Sequence, residues 1–147
     1  MPNRNGERYI EPAIRSVLVQ RQDDGVDLEF LVIDGASTDT SLQIIQRYRA
    51  EITQVVSEKD SGPASAINKG LRLATGDIIG WLNADDCYYP GALARVIDAV
   101  KKRPGHALYF GRCPIVNEIG LEIRKGITVF KEMFFPLSSR FTIQCIN

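Results

Sequence analysis

Histidine and cysteine are scarce in this 147-residue chain, which carries a single histidine, His106, and three cysteines, Cys87, Cys113 and Cys145. An odd cysteine count without C-x-x-C spacing argues against a disulfide framework or a structural zinc site and suits a reducing compartment. His106 lies in "PGHA" without companions at metal-ligand spacing and reads as a surface-loop residue. Neither sign of charge predominates, because eighteen Lys and Arg balance eighteen Asp and Glu. No overall field therefore recruits nucleic acid or anionic lipid, and a charged ligand needs a local site. No apolar run approaches the roughly 18 residues that span a bilayer, and no secretory signal is present, so a cytoplasmic protein is expected, one able to sit at the membrane periphery. The glycine-rich phosphate loops GxxxxGK[ST] and GxGxxG are also missing, which excludes a P-loop kinase and an ordinary dinucleotide dehydrogenase. Internal repeats and low-complexity stretches are absent too.

What is present is an alternation of helix-period and strand-like segments at a length that fits one domain and buries roughly two thirds of the unfolded surface. Tyr9, Ile10, Ala13, Ile14, Val17 and Leu18 recur at helical spacing, and "LEFLVI" (28–33) is a compact apolar run ending at Asp34-Gly35. A second helix is expected from about Thr40 to Tyr48, a short strand over "TQVVS" (53–57), and a third helix opened by "SGP" (61–63) and stopping near Gly76. "DIIGWL" (77–82) reads as the next strand. A helix from about Pro90 to Lys102 follows, with Leu93, Val96, Ile97 and Val100 on one face and Lys101, Lys102 and Arg103 complementing its C-terminal dipole. "ALYFG" (107–111) is strand-like, and 112–126 reads as a hairpin about Glu118-Ile119-Gly120. The expected architecture is α/β: a mostly parallel sheet with an antiparallel hairpin addition, covered by helices on both faces as a three-layer α/β/α sandwich.

In such sheets ligands bind outside the carboxyl ends of the strands. Asp34 follows one expected strand, and Asp85-Asp86 follows another, which places three carboxylates on one rim. Two adjacent like charges need a cation, a donor array or open water to coexist. Ser37, Thr38 or Asp39 supplies the cap of the following helix, whereas Asp34 lies too far from that helix for capping to explain it. Trp81 and Tyr88 flank the paired aspartates and read as packing residues.

"PNRNGERYIEPAIRSVLVQ", "VIDGASTDTS" and "EKDSGPASAINKGLRLATGDIIGWLNADDCYYPGAL", in this order and spacing from Pro2 to about Gly126, resemble a family 2 glycosyltransferase. The resemblance implies the GT-A (Rossmann-like) nucleotide-diphospho-sugar transferase fold. It also implies transfer of a sugar, from a UDP-sugar above all, to an acceptor hydroxyl with inversion, assisted by Mn²⁺ or Mg²⁺ in cell-wall or polysaccharide biosynthesis. By the same resemblance, Pro2 to Asn5 runs along the nucleotide, with Arg4 or Asn5 near base or ribose, and Asp34 accepts from the base. Asp60, Gly62 and Asn68 meet base, ribose and diphosphate. "NADD" stands for the DxD motif, with Asn83 at its first position, so the metal load falls on Asp85 or Asp86, the other carboxylate holding the ribose. The partners implied are a nucleotide-diphospho-sugar donor and an acceptor that is a glycan, a lipid or a small molecule.

The chain departs from that pattern at both ends. Only Met1 precedes Pro2, where the family has an apolar strand, and the family's general base lies beyond "FTIQCIN". Residues 1–147 are thus expected to form a single nucleotide-sugar-binding domain without the first strand and the acceptor-side part, with open edges that favour a homodimer. Glu118 and Glu122 are the late carboxylates and read as solvated. The alternative reading is a non-catalytic nucleotide-sugar-binding remnant or scaffold. A nucleotidylyltransferase would want a glycine- and lysine-rich amino-terminal signature that "PNRNGERY" does not supply.

Overall fold

The computed structural model describes residues 1–105, 109–112, 114–117, 121–123 and 140–146, with only the backbone described for 110–112 and 140–146. His106, Cys113 and Glu118, and with them the expected hairpin turn, lie outside the described residues. Three parallel strands form the first sheet: β1 (Pro2–Asn3), β2 (Leu31–Asp34) and β3 (Gln54–Ser57), in the order β1-β2-β3. Every residue of β2 is buried, the continuous apolar pattern of a strand covered on both faces.

Helices account for that coverage. In α1 (Ile10–Leu18) the buried residues are Ile10, Ala13, Ile14 and Val17, one face at i, i+3, i+4 and i+7. Pro12 falls in its first turn, where the missing N–H has no intrahelical partner to lose. Ile10, Ile14 and Val17 pack with Val32 and with Ile44 and Ile45 of α2 (Ser41–Arg47) into one core. Ile33 points the other way, since successive strand residues alternate, and its Cγ1 lies 3.5 Å from where a Cβ on Gly70 would stand. Gly70 belongs to α3 (Pro63–Leu73), which lies against β1 and β2. The two faces of this sheet thus carry α1 and α2 on one side and α3 on the other.

The second sheet is mixed. β8 (Arg140–Ile146) lies antiparallel to β4 (Asp86–Tyr88) along one edge and parallel to β5 (Phe110–Arg112) and β6 (Ile115–Val116) along the other. Phe110 faces Arg140 and Ile115 faces Cys145, so β5 and β6 share one register and act as a single interrupted strand. β7 (Glu122–Ile123) completes the expected hairpin with β6. Among the described residues four strand pairings are parallel and two antiparallel, in keeping with the expected mostly parallel α/β architecture. Between β4 and β5, α4 (Ala92–Lys102) starts after Gly91 in the left-handed region and ends on Lys101 and Lys102; its Leu93, Val96, Ile97 and Val100 are half-buried.

One expected strand is not formed. Residues 77–82 pair with no strand among the described residues, and Ile78, Ile79 and Trp81 are exposed while only Leu82 is buried. The free edge beside β1 offers two residues, one of them a proline without an N–H, so a six-residue strand gains too little ladder there to order itself. The β4 that forms starts at the second aspartate instead.

Candidate functional site

The carboxyl ends of the three parallel strands form a polar edge. Asn3, Asp34 and Ser57 are register neighbours across β1, β2 and β3. Asp34 is fully buried, and four donors fill its carboxylate: Asn3 Nδ2 at 2.8 Å and the Ser37 hydroxyl on Oδ1, the Ser37 N–H at 2.9 Å and Ser57 Oγ at 2.8 Å on Oδ2. Burial alone would raise its pKa, but the Ser37 hydroxyl and N–H, Ser57 and Asn3 outweigh it, and the net displacement is downward from 3.8. Asp34 therefore stays ionised, yet a base would have to displace one of these donors to reach it.

The loop after β1 is fastened to the loop after β2 by a row of polar links. Asn5 N–H donates to Ser37 Oγ (2.8 Å), Gly6 N–H to Ser41 Oγ (2.9 Å) and Glu7 N–H to Asp39 Oδ2 (3.0 Å). In return Thr38 N–H donates to Asn5 Oδ1 (2.9 Å), and the Thr40 N–H and hydroxyl donate to Glu7 Oε2 (3.0 and 2.7 Å). Asp39 Oδ1 also accepts from Ser41 N–H at 2.9 Å, but the N-cap of α2 is Thr40, one residue beyond the expected Ser37, Thr38 or Asp39, and it makes no side-chain capping bond. Asn5 and Ala36 hold φ of 52° and 57°, the left-handed region in which asparagine is tolerated and alanine is strained. Gly6 has no room for a side chain: a Cβ there would lie 2.3 Å from Asn3 Oδ1 and 3.7 Å from the Cβ of Ala84.

That last distance brings the "NADD" turn to the same edge. Asn83 links its neighbours, accepting from Trp81 Nε1 at 3.0 Å and donating through Nδ2 to Asp86 Oδ2 at 3.2 Å. Asp85 is exposed and Asp86 half-buried at the start of β4. Among the described residues, no three His, Cys, Asp or Glu side chains gather as a metal cage.

After β3 the chain passes Asp60, whose side chain is 5% exposed, with Oδ1 held at 2.7 Å by Lys69 Nζ. Lys69 also grips Glu58 Oε1 at 2.7 Å, and the two carboxylates, Asp60 first, raise its pKa. Asp60 Oδ2 is buried without a partner among the described residues, 3.4 Å from where a Cβ on Gly35 would be. Gly62 holds φ of 140° with nothing within 4 Å of its would-be Cβ, so conformation, not space, requires glycine; Pro63 then opens α3. Asn68 is exposed in the second turn of α3.

Of the sequence candidates, Pro2, Asn5, Asp34, Asp60 and Gly62 thus lie in or beside the strand-end loops, and Asp85 and Asp86 border them through Ala84. The expectations had no place for Gly6, Glu7 and Ser57, took Asn3 only as part of the Pro2–Asn5 segment, and gave Ser37 only the part of a helix cap. The hydroxyl-rich "GASTDTS" was the visible signal for Ser37; Ser57, at the end of a short strand, left none.

Residues 1–144 match the model of the family described as Glycosyl transferase family 2. An uncharacterized glycosyltransferase of Nostoc sp. is 32% identical over 99 residues, covering 65% of this chain and 30% of that protein. Chondroitin synthase of Escherichia coli is 36% identical over 104 residues, covering 69% of this chain and 15% of the relative. The structure of S. aureus TarS 1-349 in complex with UDP-GlcNAc matches with a TM-score of 0.65 at 23% identity, over 84% of this chain and 35% of that one. The mannosyltransferase PcManGT from Pyrobaculum calidifontis, in complex with GDP-Man and Mn²⁺, matches with a TM-score of 0.61 at 26% identity, over 80% of this chain and 34% of that one. The chain therefore spans about a third or less of these proteins, and the α/β fold it shares with them is GT-A.

Proposed function

The chain belongs to glycosyl transferase family 2, and from that premise we propose that its strand-end edge binds a nucleoside-diphosphate sugar and presents the sugar for transfer to an acceptor hydroxyl. The observation that carries this reading is the closeness of Ala84 to Gly6, its Cβ 3.7 Å from where a Cβ on Gly6 would stand, which brings the turn before Asp85-Asp86 beside the loop that follows β1. Base and ribose lie along Pro2–Asn5 and the loop from Asp60 to Gly62, with Asn68 toward the diphosphate and Asp85 on a ribose hydroxyl. Asn3 and Asp34 keep the three strand ends at fixed spacing.

Asp85 and Asp86 fit a hard divalent cation: both offer carboxylate oxygens, Asp85 in the open and Asp86 steadied by the Asn83 amide. Two protein carboxylates suffice for an ion that takes its other ligands from phosphate and water. A Mn²⁺ or Mg²⁺ ion held there supplies charge neutralisation on the diphosphate. In an inverting displacement the acceptor oxygen bonds to the anomeric carbon as that carbon's bond to the diphosphate oxygen breaks on the opposite face, the nucleoside diphosphate leaves, and the hydroxyl proton passes to water. The acceptor is a glycan, lipid or small molecule of the kind used in polysaccharide or cell-wall assembly.

Calorimetry with a panel of UDP- and GDP-sugars, with and without Mn²⁺, tests the binding, and nucleoside-diphosphate release in the presence of acceptors tests the transfer. Saturable, Mn²⁺-enhanced binding of at least one donor is expected. Failure to bind any donor under either condition overturns the reading.

A further inference from the structure

Trp81 and Tyr88 read from the sequence as packing residues; the structure bears this out for the ring of Tyr88 and overturns it for Trp81, which is 58% exposed. The indole is not a loose side chain. Its N–H, the only polar group it has, donates to Asn83 Oδ1 at 3.0 Å, and Asn83 Nδ2 donates in turn to Asp86 Oδ2 at 3.2 Å. A single amide group thus joins the exposed ring to the Asp86 carboxylate. Tyr88 approaches the same place from inside. It follows Asp86 by two residues in β4, so the two side chains leave the strand on one face. Its ring packs against the core, while its hydroxyl reaches the backbone of Gly80, next to Trp81: a Cβ on Gly80 would stand 3.2 Å from Tyr88 Oη. Among the described residues that hydroxyl has no hydrogen-bond partner, and the missing side chain at Gly80 leaves it uncovered.

We propose that Trp81 and Tyr88 form the subsite of a carbohydrate acceptor, whose end ring lays its C–H face on the indole and bonds one hydroxyl to Tyr88 Oη. The inference rests on the nucleotide-sugar reading above and narrows its acceptor to a glycan. A sugar ring has faces of C–H groups and a rim of hydroxyls, so it matches a flat aromatic surface bordered by polar groups. Here the border is the Asn83 amide and the Asp86 carboxylate on one side and the Tyr88 hydroxyl on the other. An acyl chain would gain the same contact from the indole but leave those polar groups without partners. The donor sugar is bonded directly to the diphosphate and stands at the cation held by Asp85 and Asp86. The indole lies one amide further out, where the next ring, that of the acceptor, is seated.

Trp81 is the one tryptophan, so its emission reports on this subsite directly. Maltotetraose, cellotetraose and chitotetraose are titrated into the full chain with UDP and Mn²⁺ held constant, in parallel with phosphatidylcholine vesicles. A saturable change in emission with at least one oligosaccharide, and none with the vesicles, is expected. Calorimetry then compares variants whose melts match the unaltered chain: Trp81→Ala should weaken that oligosaccharide by about tenfold, and Trp81→Phe, which keeps a flat ring, by less. Tyr88→Phe keeps the ring in the core and should cost about threefold to tenfold, the worth of one hydrogen bond. All three should bind UDP with Mn²⁺ as the unaltered chain does. Variants that weaken oligosaccharide and UDP by the same factor, the mark of a merely structural pair, overturn the proposal. So does a loss seen for a UDP-sugar but not for UDP, which assigns the indole to the donor, and so does a response to the vesicles alone, which makes Trp81 a membrane contact. A chain that binds UDP but answers to no oligosaccharide removes the acceptor subsite and leaves the donor site standing, whereas a chain that binds no donor removes the reading beneath both.

Discussion

Asn3 and Asp34 face each other across the β1–β2 ladder, and the 2.8 Å bond from Asn3 Nδ2 to Asp34 Oδ1 joins the carboxyl ends of the two strands through their side chains as well as their backbones. With Ser37 and Ser57 on the remaining lone pairs, Asp34 acts as a four-way bracket.

Asp34→Asn replaces a buried acceptor oxygen with a donor facing other donors. It should lower stability by about 2–3 kcal/mol, the range for leaving buried groups unsatisfied at a charged site. Urea unfolding measures the loss, and an unchanged midpoint would remove the bracket. The pKa of Asp34 is lower in the folded chain than the usual 3.8, so its stabilisation is complete above the unfolded value and disappears as pH falls through the folded one. The stability gap between the two proteins should hold steady above about pH 5 and close below about pH 4.

Asp86→Ala and Asp85→Ala remove exposed or half-buried carboxylates without opening a core cavity, so each should keep its melting temperature within a few degrees yet lose the Mn²⁺ dependence of UDP binding. Trp81, the one tryptophan, reports on this turn through Asn83, and Mn²⁺ should quench its emission in the unaltered chain but not in Asp86→Ala. Equal quenching in both would place the ion elsewhere.

Gly6→Ala forces a methyl to within 2.3 Å of Asn3 Oδ1, which the bonds of Asn3 to Asp34 and Ser37 hold in place. A loss of about 1–3 kcal/mol is expected from overpacking of this kind. Gly76→Ala, where the nearest atom is the Ile78 carbonyl at 3.8 Å, is the control and should change stability far less.

Cys87 is buried in β4, and burial foremost, with Asp86 adding to it, raises its pKa against the opposing bond from Ser16. Site-resolved mass spectrometry should find it alkylated by iodoacetamide many times more slowly in the folded chain than in urea. Comparable rates would mean that β4 opens readily.

α1, α2 and α4 were legible because each carries its own apolar period, begun by Ile10, Leu42 and Leu93, and α3 because Ser61-Gly62-Pro63 opens it. β2 was legible as an apolar run for the related reason that both its faces are covered. Residues 77–82 misled because strand character belongs to a pairing edge as much as to a sequence, and the edge beside β1 is two residues long. Asp34 stood out as a strand-end carboxylate, but its use depends on donors 31 and 23 positions away, Asn3 and Ser57, which no local pattern discloses. Lys69 was hidden at shorter range, since its partners Glu58 and Asp60 precede α3 while it sits within the helix.

The links that fasten residues 5–7 to residues 37–41 close a loop of more than thirty residues, with α1 and β2 inside it. The entropy of that closure is spent once and supports all of the links together, so they form or dissolve as a group. Recognition geometry and chain topology are therefore one equilibrium at this edge. A ligand that holds the two loops shut lends its binding free energy to the pairing of β1 with β2, and through it to the whole parallel sheet.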